Sequence, residues 1–97
     1  MAFGELNANQ STDAITINDR AQLTMRFQGA ATVKLQIWLN SGFGGGWIDV
    51  KDSNNVKAEW VKTGADTVAD IVYAGTSGTR FRLSCTAAAR PVLWELG

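Results

Sequence analysis

The sequence predicts an all-β fold, an antiparallel β-sandwich of the jelly-roll or immunoglobulin-like kind with about eight strands. Three observations carry that expectation. Apolar residues recur with a period of two along most of the chain, the period of a strand and not of a helix. Turn signals rich in glycine and asparagine return about every eight to twelve residues. The 97 residues, 45% hydrophobic and 19% charged, suffice for one small core and not for two.

Residues 1–13 are mostly polar and small, with little hydrophobic periodicity, and are expected to form an extended N-terminal arm; residues 14–97 are expected to form the sandwich. Ala14 to Ile17 reads as a short first strand. Ala21 to Gln28 alternates Leu23, Met25 and Phe27 with Gln22, Thr24 and Arg26, so each set takes one face. Thr32 to Asn40 repeats this, with Val33, Leu35, Ile37 and Leu39 on one face and Lys34, Gln36 and Trp38 on the other. Trp47 to Lys51 and Val56 to Lys62 are weaker strands. Thr67 to Tyr73 is apolar on both faces. Thr79 to Thr86 alternates Phe81, Leu83 and Cys85 with Arg80, Arg82 and Ser84, and Pro91 to Leu96 closes the chain. An apolar face opposite a polar one is the mark of an antiparallel sheet with one side in water. Between the strands lie Asn18-Asp19, Gln28-Gly29, Ser41-Gly42, Asp52 to Asn55, Thr63-Gly64, Ala74-Gly75 and Ser77-Gly78. Asn54-Asn55 suits the positive φ of a tight turn. Gly64 to Ala69 has room for at most one helical turn.

Composition narrows the chemistry. The chain has no histidine, one cysteine, and nine basic against nine acidic side chains. Imidazole bases, His-paired nucleophiles and histidine metal ligands are therefore excluded, as are an internal disulfide and a cysteine-rich zinc site. A neutral balance supplies no broad basic footprint for nucleic acid and no attraction to acidic membranes. No segment approaches the run of about 18 apolar residues that a membrane helix needs. Met1 to Leu6 lacks the pattern of a secretory signal, so a cytoplasmic-type environment, or release with a larger assembly, is expected.

Several local patterns invite a functional reading. The run Gly42-Phe43-Gly44-Gly45-Gly46 lacks the Gly-Lys-Ser/Thr ending of a P-loop, has Trp47 where a dinucleotide fingerprint needs glycine, and lies between strands, so it reads as a hairpin loop. Asp49 and Asp52 to Asn55 cluster oxygen donors, but an EF-hand register starting at Asp49 places Trp60 at the position of the bidentate carboxylate. No metal and no cofactor is expected. The acids select no glycosidase pair, and Cys85 falls in the inward phase as a small core residue, so no catalytic residue and no enzymatic activity is expected.

Trp60 and Trp94 are in phase with apolar neighbours and are core candidates. Trp38 and Trp47 are not. Trp38 shares its face with Lys34 and Gln36, Trp47 shares its face with Asp49, and both flank the loop that carries Phe43. Arg80, Arg82 and Arg90 form the one local basic excess, and Arg80 and Arg82 lie on the same strand face. The candidate interface or ligand-binding residues are therefore Trp38, Phe43, Trp47, Arg80 and Arg82. Such a group marks a contact surface, or else a second layer covers it. As a contact surface it serves either as anchors against other protein or as a carbohydrate-binding platform, with Gln36 and Asp49 as its polar rim.

The succession Thr32-Val33-Lys34-Leu35-Gln36, Gly45-Gly46-Trp47-Ile48-Asp49-Val50 and Ala74-Gly75-Thr76-Ser77-Gly78-Thr79-Arg80-Phe81-Arg82-Leu83 resembles the small β-sandwich accessory proteins of tailed bacteriophages, over residues 32 to 97. The chain departs from that pattern in its longer glycine run and its Val92-Leu93-Trp94-Glu95 ending. The resemblance implies a capsid decoration or head/tail accessory role in the virion, with assembly in the host cytoplasm. It implies contacts with other virion proteins and copies of itself, and carries over no catalytic residues.

Overall fold

The computed structural model describes residues 2–39, 46–51, 54–75 and 77–97. In chain order its strands are β1 Ala2–Leu6, β2 Gln10–Ser11, β3 Ile15–Ile17, β4 Arg20–Phe27, β5 Ala31–Leu39, β6 Gly46–Asp49, β7 Glu59–Lys62, β8 Asp66–Tyr73, β9 Thr79–Ala88 and β10 Val92–Leu96, with no helix among the described residues. Every strand expected from the period-two pattern is present, within a few residues of its expected ends. All pairings are antiparallel.

The strands form two sheets. Sheet I has the order β1-β10-β4-β8, and sheet II the order β2-β9-β5-β6, with β3 also on β9 and β7 also on β5. β2 and β3 are one strand position interrupted at residues 12–14, where Thr12 N–H still donates to Leu83 O at 2.9 Å and Leu83 N–H to Thr12 Oγ1 at 3.1 Å. β6 and β7 likewise share one position beside β5, interrupted by an excursion closed by the pairing of Lys51 with Lys57. Counted this way, eight strand positions run 1-8-3-6 in one sheet and 2-7-4-5 in the other. Successive strands mostly cross between sheets, which is the jelly-roll arrangement and not the immunoglobulin one.

The inward phases meet between the sheets. Leu23, Met25 and Phe27 of β4 face Val33 and Leu35 of β5 and Phe81, Leu83 and Cys85 of β9, and all are buried. No polar or charged residue is buried with them among the described residues. Truncating one of the larger of these side chains to alanine costs about 2–5 kcal/mol. The Cys85 thiol donates to Ala87 O at 3.4 Å, and burial pushes its pKa up, away from the thiolate a nucleophile needs. Trp60 and Trp94 are half-buried and pack against the core.

Residues 2–6, expected in an extended arm, form the edge strand of sheet I, with Leu6 opposite Val92 and Ala2 opposite Leu96. The reason is a short alternation within the polar segment: Ala2, Gly4 and Leu6 face inward, and Leu6 is buried. Gly4 lies opposite Trp94, whose indole passes 3.4 Å from where a Gly4 Cβ would stand. Glycine thus lets the ring close the gap between the sheets at this edge.

Turn chemistry falls where the sequence signals it. Asn55 takes φ 65° and Gly78 φ 83°. Asn18 Oδ1 accepts from Ser77 Oγ and from Gly78 N–H, each at 3.1 Å, and ties the β3–β4 and β8–β9 turns together. One extra residue on β9 bulges between the partners of Thr32 and Val33. At the β7–β8 corner Lys62 reaches from sheet II to Asp66 of sheet I, Nζ to Oδ2 2.9 Å.

Candidate functional site

The outward phase of sheet II collects most of the residues singled out in the sequence. On β5 these are Lys34, Gln36 and Trp38, on β6 Trp47 and Asp49, and on β9 Arg80, Arg82 and Ser84. The register decides which of them meet. Trp38 lies directly opposite Trp47, Gln36 opposite Asp49, and on its other side Gln36 lies opposite Arg82. Four of the five candidate residues, Trp38, Trp47, Arg80 and Arg82, are thereby gathered into one patch. The fifth, Phe43, lies outside the described residues, as do most of its glycine run and Asp52-Ser53 of the oxygen-rich turn.

The indoles of Trp38 and Trp47 meet edge to face, centroids 5.3 Å apart at 65°. This is a favoured geometry for an aromatic pair, because the positive ring edge meets the negative ring face. Each indole also carries a guanidinium: Arg80 lies 5.4 Å from the centroid of Trp38, and Arg82 lies 4.7 Å from that of Trp47. Both distances are within the range in which the ring quadrupole attracts a cation. The result is an interleaved ladder across three neighbouring strands.

Below the ladder runs a polar chain. Arg82 Nε donates to Gln36 Oε1 at 2.7 Å, and Gln36 Nε2 donates to Asp49 Oδ1 at 3.0 Å. The chemistry fixes the amide orientation, since Arg82 can only donate and the Asp49 carboxylate can only accept. Lys34 and Lys57 both approach Asp49 Oδ2, at 3.8 and 3.5 Å. The Gln36 hydrogen bond, reinforced by the two ammonium groups, holds the Asp49 carboxyl below its ordinary pKa. Ser84 continues the face, accepting from Ser11 Oγ at 3.1 Å.

Charge is unevenly matched here. Lys34 and Lys57 share one carboxylate, while neither Arg80 nor Arg82 has an ion-pair partner among the described residues. Two guanidiniums thus lie over a half-buried aromatic surface with donor capacity left for an outside acceptor. Of the two readings of the tryptophans, a covering layer or a contact surface, the described residues form only a single layer at this face: the sheets pack through their other sides.

Gln36 and Asp49 were legible as a polar rim, but the part played by Lys57 was not. Its approach to Asp49 depends on the excursion between β6 and β7, and local spacing carries no sign of that. Among the described residues no group of three or more acidic or cysteine side chains is arranged to hold a metal. A cavity of about 560 Å³ lies by Thr16, Asn18 and Gly97, at the edge formed by β1 and β3, and is lined by none of the ladder residues. No family model, no curated protein and no solved structure matches this chain.

Proposed function

We propose that this chain is a non-enzymatic structural protein of a bacteriophage virion, a capsid decoration or head/tail accessory subunit, that acts by protein–protein contact through the outer face of sheet II. Its partners in this reading are other virion proteins and copies of itself, and it reaches the virion after assembly in the host cytoplasm. The observation that carries the contact role is the Trp38, Trp47, Arg80 and Arg82 ladder. Tryptophan and arginine are the residue types that dominate protein interfaces, and a set already locked by cross-strand contacts gives up little side-chain freedom on binding.

The same geometry weighs against the carbohydrate-binding alternative. A saccharide stacks on an open aromatic face, whereas here a guanidinium lies over each indole. The jelly roll serves viral capsid and lectin domains alike, so the fold does not choose between them, and the covered indole faces are what favour the protein-contact reading. The virion assignment rests on the resemblance over residues 32 to 97.

Light scattering on the size-exclusion eluate and mass spectrometry of purified virions test this reading. The expected outcome is presence in the virion, with association that Arg82→Ala or Trp47→Ala weakens about tenfold or more, as truncation of an interface anchor does. A protein that stays monomeric and is absent from virions overturns it. Binding on a glycan array that survives both substitutions overturns the choice of face.

A further inference from the structure

β8 is the outer strand of sheet I, paired with β4 on one side and with no strand on the other among the described residues. The register fixes which of its backbone groups are left over. Just past β8, Ala74 N–H donates to Asp19 O, and on β4 Gln22 exchanges both of its backbone hydrogen bonds with Gly97, away from β8. Backbone groups alternate sides along a strand. Asp66, Val68, Asp70 and Val72 therefore turn theirs to β4, while Thr67, Ala69, Ile71 and Tyr73 turn theirs outward. Val68, Ala69, Ile71, Val72 and Tyr73 are apolar or aromatic, and the strand has neither lysine nor proline. An edge of that composition is a template for a further strand.

Two aspartates break the pattern. Asp66 lies opposite Phe27 and Asp70 opposite Leu23, both of them buried, so the aspartates occupy the phase that points to the core. Core packing gives no reason for a carboxylate there, and both side chains are exposed. Each instead accepts from the N–H of the residue after it, Thr67 for Asp66 and Ile71 for Asp70, both at 2.8 Å. Thr67 and Ile71 are alternate members of the outward-facing set, so every second donor along this edge is already taken. A charge in the inward phase of an outer strand is one of the ways in which a sheet avoids edge-to-edge pairing.

We infer that β8 is a pairing edge for a second copy of this chain, held shut by Asp66 and Asp70. A second copy is what the free groups fit. In an antiparallel pair about a two-fold axis at Asp70, Thr67 meets Tyr73 and Ala69 meets Ile71 of the other copy, which uses every outward-facing residue of the strand. That register also sets Asp70 against Asp70 at a position where opposed side chains come closest, and like charges directly opposite destabilise the pair. Meanwhile Thr67 and Ile71 keep their N–H groups on their neighbouring carboxylates. The edge belongs to sheet I, apart from the tryptophan ladder, and its pairing does not depend on what the ladder contacts.

Light scattering on the size-exclusion eluate over a dilution series, for the full chain with and without the paired substitutions Asp66→Ala and Asp70→Ala, tests this. Circular dichroism checks that each variant is folded. The double variant is expected to self-associate at least about tenfold more tightly than the unaltered chain, an increment that a single net hydrogen bond supplies. Adding Ala69→Pro removes an outward N–H that β4 does not use, a change a sheet accepts at an outer strand, and should return the double variant to the behaviour of the unaltered chain. Amide hydrogen exchange locates the contact independently: the Ala69 and Tyr73 amides should slow as the double variant associates. A double variant that associates no more than the unaltered chain overturns the inference. So does association that survives Ala69→Pro, or that leaves the Ala69 and Tyr73 amides exchanging as before.

Discussion

On the outer face of sheet II, Arg82 reaches Gln36, Gln36 reaches Asp49, and two indoles stack under two guanidiniums. On the outer face of sheet I, the equivalent positions on β1, β10, β4 and β8 make no cross-strand side-chain hydrogen bond or ion pair among the described residues. Both faces come from the same alternation, and both carry aromatic and charged residues. What separates them is who stands opposite whom. Sheet II sets tryptophan against tryptophan and glutamine against both arginine and aspartate. Sheet I sets Phe3 against Glu95, Leu93 against Arg26 and Gln22 against Ile71, pairs with little to offer each other. Cross-strand pairs are the unit in which a sheet face is stabilised, so one face is pre-organised and the other is a row of separate side chains.

The comparison breaks most easily at its largest side chains. Trp47→Ala removes a half-buried indole together with its contacts to Trp38 and Arg82, and is expected to cost about 2–3 kcal/mol, below the range for a fully buried tryptophan. Phe3→Ala removes a ring that is 75% exposed and is expected to stay within about 0.5 kcal/mol of the unaltered protein. Urea unfolding of both variants measures the difference. Similar losses from the two substitutions would show that the faces do not differ as described.

A double-mutant cycle sharpens the same contrast at smaller scale. Arg82→Ala and Trp47→Ala, singly and together, should show a coupling of about 0.5–1 kcal/mol, the range for a cation over an aromatic ring at a partly exposed site. The corresponding cycle for Phe3 and Glu95, directly opposite on sheet I, should give a coupling near zero. Arg82→Lys keeps the charge but loses the flat guanidinium and the Nε–H that meets Gln36, so lysine should not restore the arginine value.

How far this surface was readable in the sequence follows from the same distinction between alternation and register. Alternation is local, so the strands carrying Leu23, Val33 and Phe81, the outward phase of Trp38, and the core position of Cys85 could be read from neighbouring residues. So could the positive φ at Asn55. Register is not local. That Arg82 meets Gln36 depends on β9 lying beside β5, 46 positions away in the chain, and nothing within either strand records it. The choice between jelly roll and immunoglobulin order was hidden for the same reason, because spacing does not say to which sheet a strand goes. The incorporation of residues 2–6 was missed because an inward set of one alanine, one glycine that admits Trp94 and one leucine is too little pattern to register as a strand. The exposure of Ile71 and Tyr73 could not be foreseen either: Thr67 to Tyr73 is apolar on both phases, and only the pairing with β4, which sets Ile71 opposite Gln22 and Tyr73 opposite Arg20, puts these two on the outward face.

Acidification should produce the smallest effect, and it acts on sheet II through Asp49. Its carboxyl titrates below 3.8 in the folded chain because Gln36 donates to it and Lys34 and Lys57 flank it. A group whose folded pKa is depressed contributes stability above its unfolded pKa and loses it as the pH falls through the folded value. The Asp49 contribution is therefore complete at neutral pH, begins to fall near pH 4 and is gone once the folded carboxyl is protonated. Asp66 behaves in the same direction, held down first by the hydrogen bond from Lys62 and then by the Thr67 N–H. The two separate by salt. Asp66 is more exposed than Asp49, so its ion pair is screened more strongly. In unfolding titrations between pH 6 and pH 2 at about 0.5 M salt, well above the ionic strength at which exposed pairs are screened, Asp49→Asn should flatten the acid limb and Asp66→Asn should leave it nearly as it was. If both variants flatten the limb equally, the Gln36–Asp49 chain is no better sheltered than an ordinary surface pair, and the pre-organisation of this face would have to rest on the tryptophan and arginine ladder alone.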